Sequence, residues 1–109
     1  MRILTRSEEY VLLAVWRLQD DAYSLQIRER LTEITGHDWS LGSVFTPLER
    51  LTRRRLLTSR LSPETPDRGG RKKRIYQLTP AGKQALVEIR TVGDAMWDGI
   101  TRKMLEAWA

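Results

Sequence analysis

Basic side chains are concentrated in the middle of the chain, where they could bind phosphate. Residues 41–83 contain eleven Lys and Arg residues against Glu49, Glu64 and Asp67, which gives this segment a formal charge of +8. Because the whole chain carries +5, the remaining residues carry −3. A basic segment between neutral or acidic flanks is typical of a surface that contacts nucleic acid. A merely solvated basic surface is the simpler alternative.

Few residues support any other chemistry. Cysteine is absent and His37 is the only histidine, which leaves no thiolate and little for a zinc site or a general base. Glu8 with Glu9, and Asp20 with Asp21, resemble catalytic pairs, but helix capping and solvation explain them. We therefore expect no enzyme, no metal site and no cofactor.

The length and composition predict one folded domain in the cytoplasm. The chain has 109 residues, of which 40% are hydrophobic and 30% are charged, a globular rather than a disordered balance. It contains no run of about 18 apolar residues for a membrane span, and its acidic start is unlike a signal peptide.

Helix caps and apolar spacing predict three helices before residue 56. The first covers about residues 6–19 behind a capping box of Thr5 and Glu8; its apolar residues surround the helix, so we infer a second buried surface. Ser24 is expected to cap the second helix and Gly36 to end it. Ser40 or Ser43 caps the third, in which Pro47 implies a late start or a local distortion.

The second and third helices meet across a tight joint, as in a helix-turn-helix. The third helix has an apolar stripe of Val44, Leu48 and Leu51. At 100° per residue, the face opposite that stripe carries Gly42, Thr46, Glu49, Arg50 and Arg53.

A hairpin and a long last helix complete the predicted architecture. Residues 56–61 and 74–78 have strand character, and the Pro-, Gly- and charge-rich residues between them predict a flexible tip, so the hairpin is a wing. Thr79 and Pro80 start a helix that is expected to run to about residue 107. Its apolar stripe is too long for one small core, which indicates a partner helix from a second subunit. We therefore divide the chain into a DNA-binding domain, 1–79, and a dimerisation helix, 80–109.

The order and spacing of these segments resemble the PadR family of winged-helix regulators. The matching segments are residues 9–15, 22–27, 39–51, 56–57 and 69–82. The resemblance implies a mainly α fold with a small β-hairpin, in which a winged helix-turn-helix precedes a long C-terminal dimerisation helix. It also implies a homodimeric repressor that leaves DNA when a small molecule binds. Asp21-Ala22 and Phe45 depart from the family's usual His-Gly and Tyr, and the loss of that hydroxyl removes one hydrogen bond to DNA.

Two groups of candidate site residues follow. The predicted DNA contacts are Tyr23, Ser43, Thr46, Arg50, Arg53, Arg71, Lys72 and Lys73. The predicted dimer or effector residues are Val15, Met96, Trp97 and Ile100. Simpler roles stay open for some of them, since Ser43 could only cap a helix, Tyr23 could only pack, and Trp97 could only fill the dimer seam.

The leading interpretation is a transcriptional repressor that binds double-stranded DNA sequence-specifically. Its operator would be an inverted repeat, and a small aromatic or hydrophobic molecule would be its effector. The alternatives are a constitutive DNA-binding protein without an effector, and a protein-interaction module that docks through its long helix. A steep salt dependence of binding would separate DNA binding from protein docking.

Overall fold

The computed structural model describes residues 3–63 and 72–108 of the chain. Its elements, in chain order, are helix α1 (Arg6–Leu18), a 3₁₀ turn (Gln19–Asp21), helices α2 (Ser24–Thr35) and α3 (Leu41–Arg53), strands β1 (Leu57–Leu61) and β2 (Arg74–Leu78), and helices α4 (Pro80–Trp97) and α5 (Arg102–Ala107). The predicted mainly α architecture with one hairpin is confirmed.

The core lies where α1, α2, α3 and the hairpin meet. Its largest fully buried side chains come from all four: Leu12 from α1, Ile27 from α2, Leu48 and Leu51 from α3, and Leu57 from β1. Buried residues recur three or four apart in each helix, as Leu12 and Val15 do in α1, Ile27 and Leu31 in α2, and Leu48 and Leu51 in α3. Each helix therefore turns one stripe inwards and its polar side outwards.

Caps define the helix ends, with one correction. Thr5 and Glu8 form the predicted capping box of α1, and Gly36, at a φ of 74°, ends α2. The prediction that Ser24 caps α2 is wrong. Ser24 is already helical, and Tyr23 holds the N-cap position in extended backbone without a side-chain cap bond.

Helix α3 begins at its cap and continues through its proline. Ser40 accepts a hydrogen bond from the Ser43 N–H, so Ser40 is the cap. Of the two expectations for Pro47, the late start is wrong, because α3 begins at Leu41 and extends past Pro47 to Arg53; a local distortion stays a prediction. Pro47 is buried on the inner side of the helix, where its ring adds apolar contact.

The hairpin packs against the helix-turn-helix through its backbone. β1 and β2 pair antiparallel, with Leu57 opposite Leu78 and Leu61 opposite Arg74. The Tyr76 N–H donates to the Ala22 carbonyl at 2.8 Å, which joins β2 to the start of α2. This bond fixes the side of α3 on which the hairpin lies.

The C-terminal region differs from the single long helix that was expected. Thr79 caps α4 and Pro80 is its first residue, as predicted, but α4 ends at Trp97. Gly99 has a φ of 78°, a left-handed conformation that stops a helix. The Thr101 hydroxyl then caps a separate short helix, α5. In the part of the chain that the structure describes, no helix is long and apolar enough to cross a membrane.

Candidate nucleic-acid interface

Burial of one side of α3 determines which of its residues face outwards. Val44, Leu48 and Leu51 have no exposed surface. The residues half a turn away, Thr46, Glu49 and Arg53 among them, are exposed. The outward face predicted from the 100° spacing is therefore present in the structure.

A groove separates α3 from the hairpin and is open to solvent. We call it the α3–wing groove; it encloses about 870 Å³ and is lined by Tyr23, Ser24, Leu25, Phe45, Glu49, Thr52, Arg53, Ser59, Lys72, Lys73, Arg74 and Tyr76. Four of these residues are cationic and one is acidic. A concave surface with an excess of positive charge attracts phosphate.

Tyr23 connects the start of α2 to the wing. The Lys73 ammonium lies 4.0 Å from the centre of the Tyr23 ring, within range of a cation–π contact. The Tyr23 hydroxyl accepts a hydrogen bond from Gln26 Nε2 at 3.0 Å. The ring thus positions Lys73 at the groove, and a DNA contact of Tyr23 itself stays a prediction.

Two further pairs arrange charge along the groove. Arg53 lies 3.9 Å from Glu49 one turn earlier, and both side chains are largely exposed. Such a pair contributes little energy, so Arg53 can exchange Glu49 for another anion. Arg74 donates to Ser59 Oγ at 2.9 Å across the hairpin, which holds its guanidinium over the wing strands.

The groove brings together half of the predicted DNA contacts. Tyr23, Arg53, Lys72 and Lys73 line it, whereas Ser43, Thr46 and Arg50 are exposed elsewhere on α3. Arg71 lies outside the described residues.

Ser43 and Arg50 have neighbours within the protein. The Ser43 hydroxyl donates to the Ser40 carbonyl at 2.7 Å, in keeping with its role at the helix start. Arg50 is near enough to Glu8 of α1 to affect the ionisation of that carboxyl. It therefore lies on the flank of α3 that faces α1.

The prediction did not include Phe45, Glu49 and Ser59 among the site residues, yet they line the groove. Helical spacing had already placed Glu49 on the outer face of α3, so the sequence did indicate that Glu49 could lie at the site. The sequence gives no such indication for Ser59, because its approach to α3 depends on how the hairpin packs.

Glu8 is buried and paired with the end of α3. Its carboxylate is 3.3 Å from Arg54 Nη1, and it accepts a hydrogen bond from the Thr5 N–H at 2.9 Å. Burial raises the pKa of Glu8, but hydrogen bonding with Thr5 and the charges of Arg54 and Arg50 outweigh burial and hold that pKa below its usual value. A residue that the sequence marked only as a cap thus joins α1 to the DNA-facing helix.

The predicted effector residues lie in different environments. Val15 is buried in the core at 2% exposure, whereas Met96, Trp97 and Ile100 are 73%, 54% and 44% exposed. Their grouping as one site stays a prediction, because a second subunit would have to cover the three exposed residues. Among the described residues, no cluster of three His, Cys, Asp or Glu side chains is arranged for a metal.

A helix-turn-helix followed by a hairpin, with an exposed basic groove between them, defines the winged-helix class of DNA-binding proteins. The chain belongs to the PadR-like family of transcriptional regulators, whose family model matches residues 12–88. No curated protein matches the chain in sequence.

Solved structures of several regulators are similar to this fold. A PadR-like transcriptional regulator from Bacillus cereus is 21% identical with a TM-score of 0.71, over 90% of this chain and 89% of its own. A PadR family regulator from Clostridium difficile is 26% identical with a TM-score of 0.63, over 89% and 97%. RosR of H. salinarum is 21% identical with a TM-score of 0.69, over 97% and 90%.

Proposed function

We propose that the chain is a sequence-specific repressor that binds duplex DNA as a homodimer. The observation that carries this proposal is the α3–wing groove, in which Arg53 of the recognition helix faces Lys72 and Lys73 of the wing. In this arrangement α3 enters the major groove while the wing follows the adjacent phosphates. Occupying a promoter in this way excludes other proteins from it, and repression is the role that the family resemblance favours.

The proposal assigns residues 1–79 to DNA binding and 80–109 to dimerisation. A two-fold dimer presents two α3 helices, so the operator is an inverted repeat with half-sites about 10 bp apart or a multiple of that distance. Thr46, Arg50 and Arg53 are the proposed base or phosphate contacts of α3, and Arg71, Lys72 and Lys73 those of the wing.

The proposal also includes release by a small molecule. Trp97 and Met96 offer exposed flat and adaptable apolar surface that would pair across the two-fold axis. A ligand there acts only if it binds the DNA-incompetent spacing of the two α3 helices more tightly than the competent one. Titration with planar aromatic dyes tests this part: Trp97→Ala should abolish dye binding and dye-induced DNA release while leaving the dimer intact.

The main experiment is binding to duplexes selected from a random library, measured over a range of salt concentrations. Native protein should select an inverted repeat and bind it with a steep negative salt slope, because each neutralised phosphate releases counterions. Lys73→Ala should weaken binding to all sequences and reduce the magnitude of the slope by about 1. Lys83→Ala is the matched control, since the Lys83 ammonium likewise lies over an aromatic ring, that of Trp16, but away from the groove.

Equal losses of DNA affinity for Lys73→Ala and Lys83→Ala would contradict the assignment of the α3–wing groove as the DNA-binding surface. Binding that is insensitive to salt and to sequence would favour the protein-interaction module instead.

A further inference from the structure

A carboxylate lies among the cations of the α3–wing groove. Glu49 is exposed on the outer face of α3 and is the only acidic residue among the described lining residues, beside Arg53, Lys72, Lys73 and Arg74. Its position within the groove is supported by its effect on Tyr76, a neighbour on the wing. Burial chiefly raises the pKa of the Tyr76 phenol, Arg74 opposes this, and the charge of Glu49 adds to it.

Such a carboxylate opposes indiscriminate DNA binding. It repels phosphates and cancels part of the attraction of the four cations, so it lowers affinity for any sequence. The carboxylate of Glu49 therefore weakens DNA binding unless the correct base sequence offers it a favourable contact that offsets the repulsion. This cost implies a function in discrimination between sequences rather than in affinity.

The hydrogen-bonding capacity of a carboxylate limits which base can provide that compensation. An ionised Glu can only accept hydrogen bonds. In the major groove, guanine presents two acceptors and thymine presents an acceptor and a methyl group, whereas cytosine presents an amino donor. Adenine also has an amino donor, but its N7 acceptor lies beside it and would repel the carboxylate.

We propose that Glu49 selects cytosine at one position of each operator half-site by accepting a hydrogen bond from the cytosine amino group. The inference rests on the proposed DNA-binding function and adds a specificity-determining residue to it. The weak Glu49–Arg53 pair fits this role: at 3.9 Å and largely exposed, the pair separates at little cost. Arg53 is then available for phosphate or for a guanine edge.

The test compares the sequences that native protein, Glu49→Gln and Glu49→Ala select from a random duplex library. Native protein should select cytosine at one position per half-site. Glu49→Ala should lose that preference by about 10- to 100-fold, and Glu49→Gln, whose amide can both accept and donate, should also admit adenine at that position. Both variants should bind non-cognate duplexes more tightly. Glu33→Gln is the matched control, because Glu33 is an exposed carboxylate on α2 that does not line the groove. It should change neither property.

Each outcome decides the question. An unchanged consensus in both Glu49 variants would overturn the inference while leaving DNA binding intact, and would reduce Glu49 to a surface partner of Arg53. Failure of the native protein to select any duplex would refute the proposed function and this inference with it. Because Glu49 is exposed, thermal unfolding should show that both variants stay folded.

Discussion

At the scale of single residues, the buried charge of Glu8 contributes to stability through its pairing with Arg54. Its carboxylate is 3% exposed and the Arg54 side chain 19%, and the two residues are 46 positions apart in the chain. Removing one member of such a pair leaves the other without its partner in a place that water reaches poorly. The pair therefore joins the start of α1 to the end of the recognition helix.

Glu8→Gln should lower the free energy of unfolding by about 1–3 kcal/mol at pH 7. Glutamine retains an oxygen for the capping box, so the loss reports the missing charge beside Arg54. Urea unfolding measures the effect. Glu9→Gln is the control and should change stability by less than about 0.5 kcal/mol, since the ion pair of Glu9 among the described residues is with the exposed Arg6.

The difference between native protein and Glu8→Gln should depend on pH. The folded-state pKa of Glu8 lies below its unfolded value, which is about 4.3 in free chains, so the unfolded state takes up the proton first as the solution becomes acidic. The stabilisation is thus fully present above about pH 5 and is lost as pH falls through the folded pKa. A difference that stayed constant down to pH 3 would show that Glu8 acts through shape alone.

At the scale of elements, the start of α4 is attached to the turn that follows α3. The Thr79 N–H donates to the Leu56 carbonyl at 3.1 Å, and the Thr79 hydroxyl donates to the Arg55 carbonyl at 2.7 Å. Arg55 itself has a φ of 62°, and the Leu56 N–H bonds back to the Leu51 carbonyl. This turn therefore sets the direction of α4 relative to the DNA-binding helices.

Gly82→Ala should destabilise the protein by about 1–3 kcal/mol. A methyl group at this position would overlap the Leu56 carbonyl oxygen, so α4 would have to move away from the turn. The midpoint of urea unfolding measures the loss. Gly42→Ala is the matched control, since its methyl group would meet only Ser40 Oγ at an ordinary 3.9 Å. A midpoint for Gly82→Ala equal to that of Gly42→Ala would contradict the close approach.

At the scale of the whole molecule, the chain is extended. Its radius of gyration is 16.3 Å, whereas a compact domain of this length has about 13 Å. The exposed apolar residues of the C-terminal region include Val92, Met96, Trp97, Met104 and Trp108, the last at 90% exposure. A large exposed apolar surface marks an interaction site, which supports the proposed dimer.

Val92→Glu together with Met96→Glu should convert the proposed dimer into a monomer, because two carboxylates would have to be buried in the seam. Light scattering measures the molecular mass, and DNA binding should weaken as the dimer is lost. Thr91→Glu, an exposed position on a different face of α4, should leave the dimer unchanged. A native chain that is already monomeric at micromolar concentration would refute the homodimer.

The local structure of this protein was readable from the chain itself. The Thr5–Glu8 box, the Ser40 and Thr79 caps and Gly36 define helix ends through groups within four residues of one another, and apolar spacing identifies the inner face of α3. These effects act over one helical turn, so neighbouring residues suffice to reveal them. Three local predictions were wrong: the Ser24 cap, the late start of α3 and the unbroken last helix. At Gly99 an apolar stripe runs across the break and masks the interruption.

Tertiary structure alone decided which distant residues meet. Lys73 lies on Tyr23 and Glu8 pairs with Arg54. Neither of these contacts follows from spacing, since each depends on how the hairpin and α1 pack around α3. The packing is stabilised by the burial of apolar side chains from all these elements at once. This free energy arises only when the elements pack together, so it cannot be assigned to any one segment of the sequence.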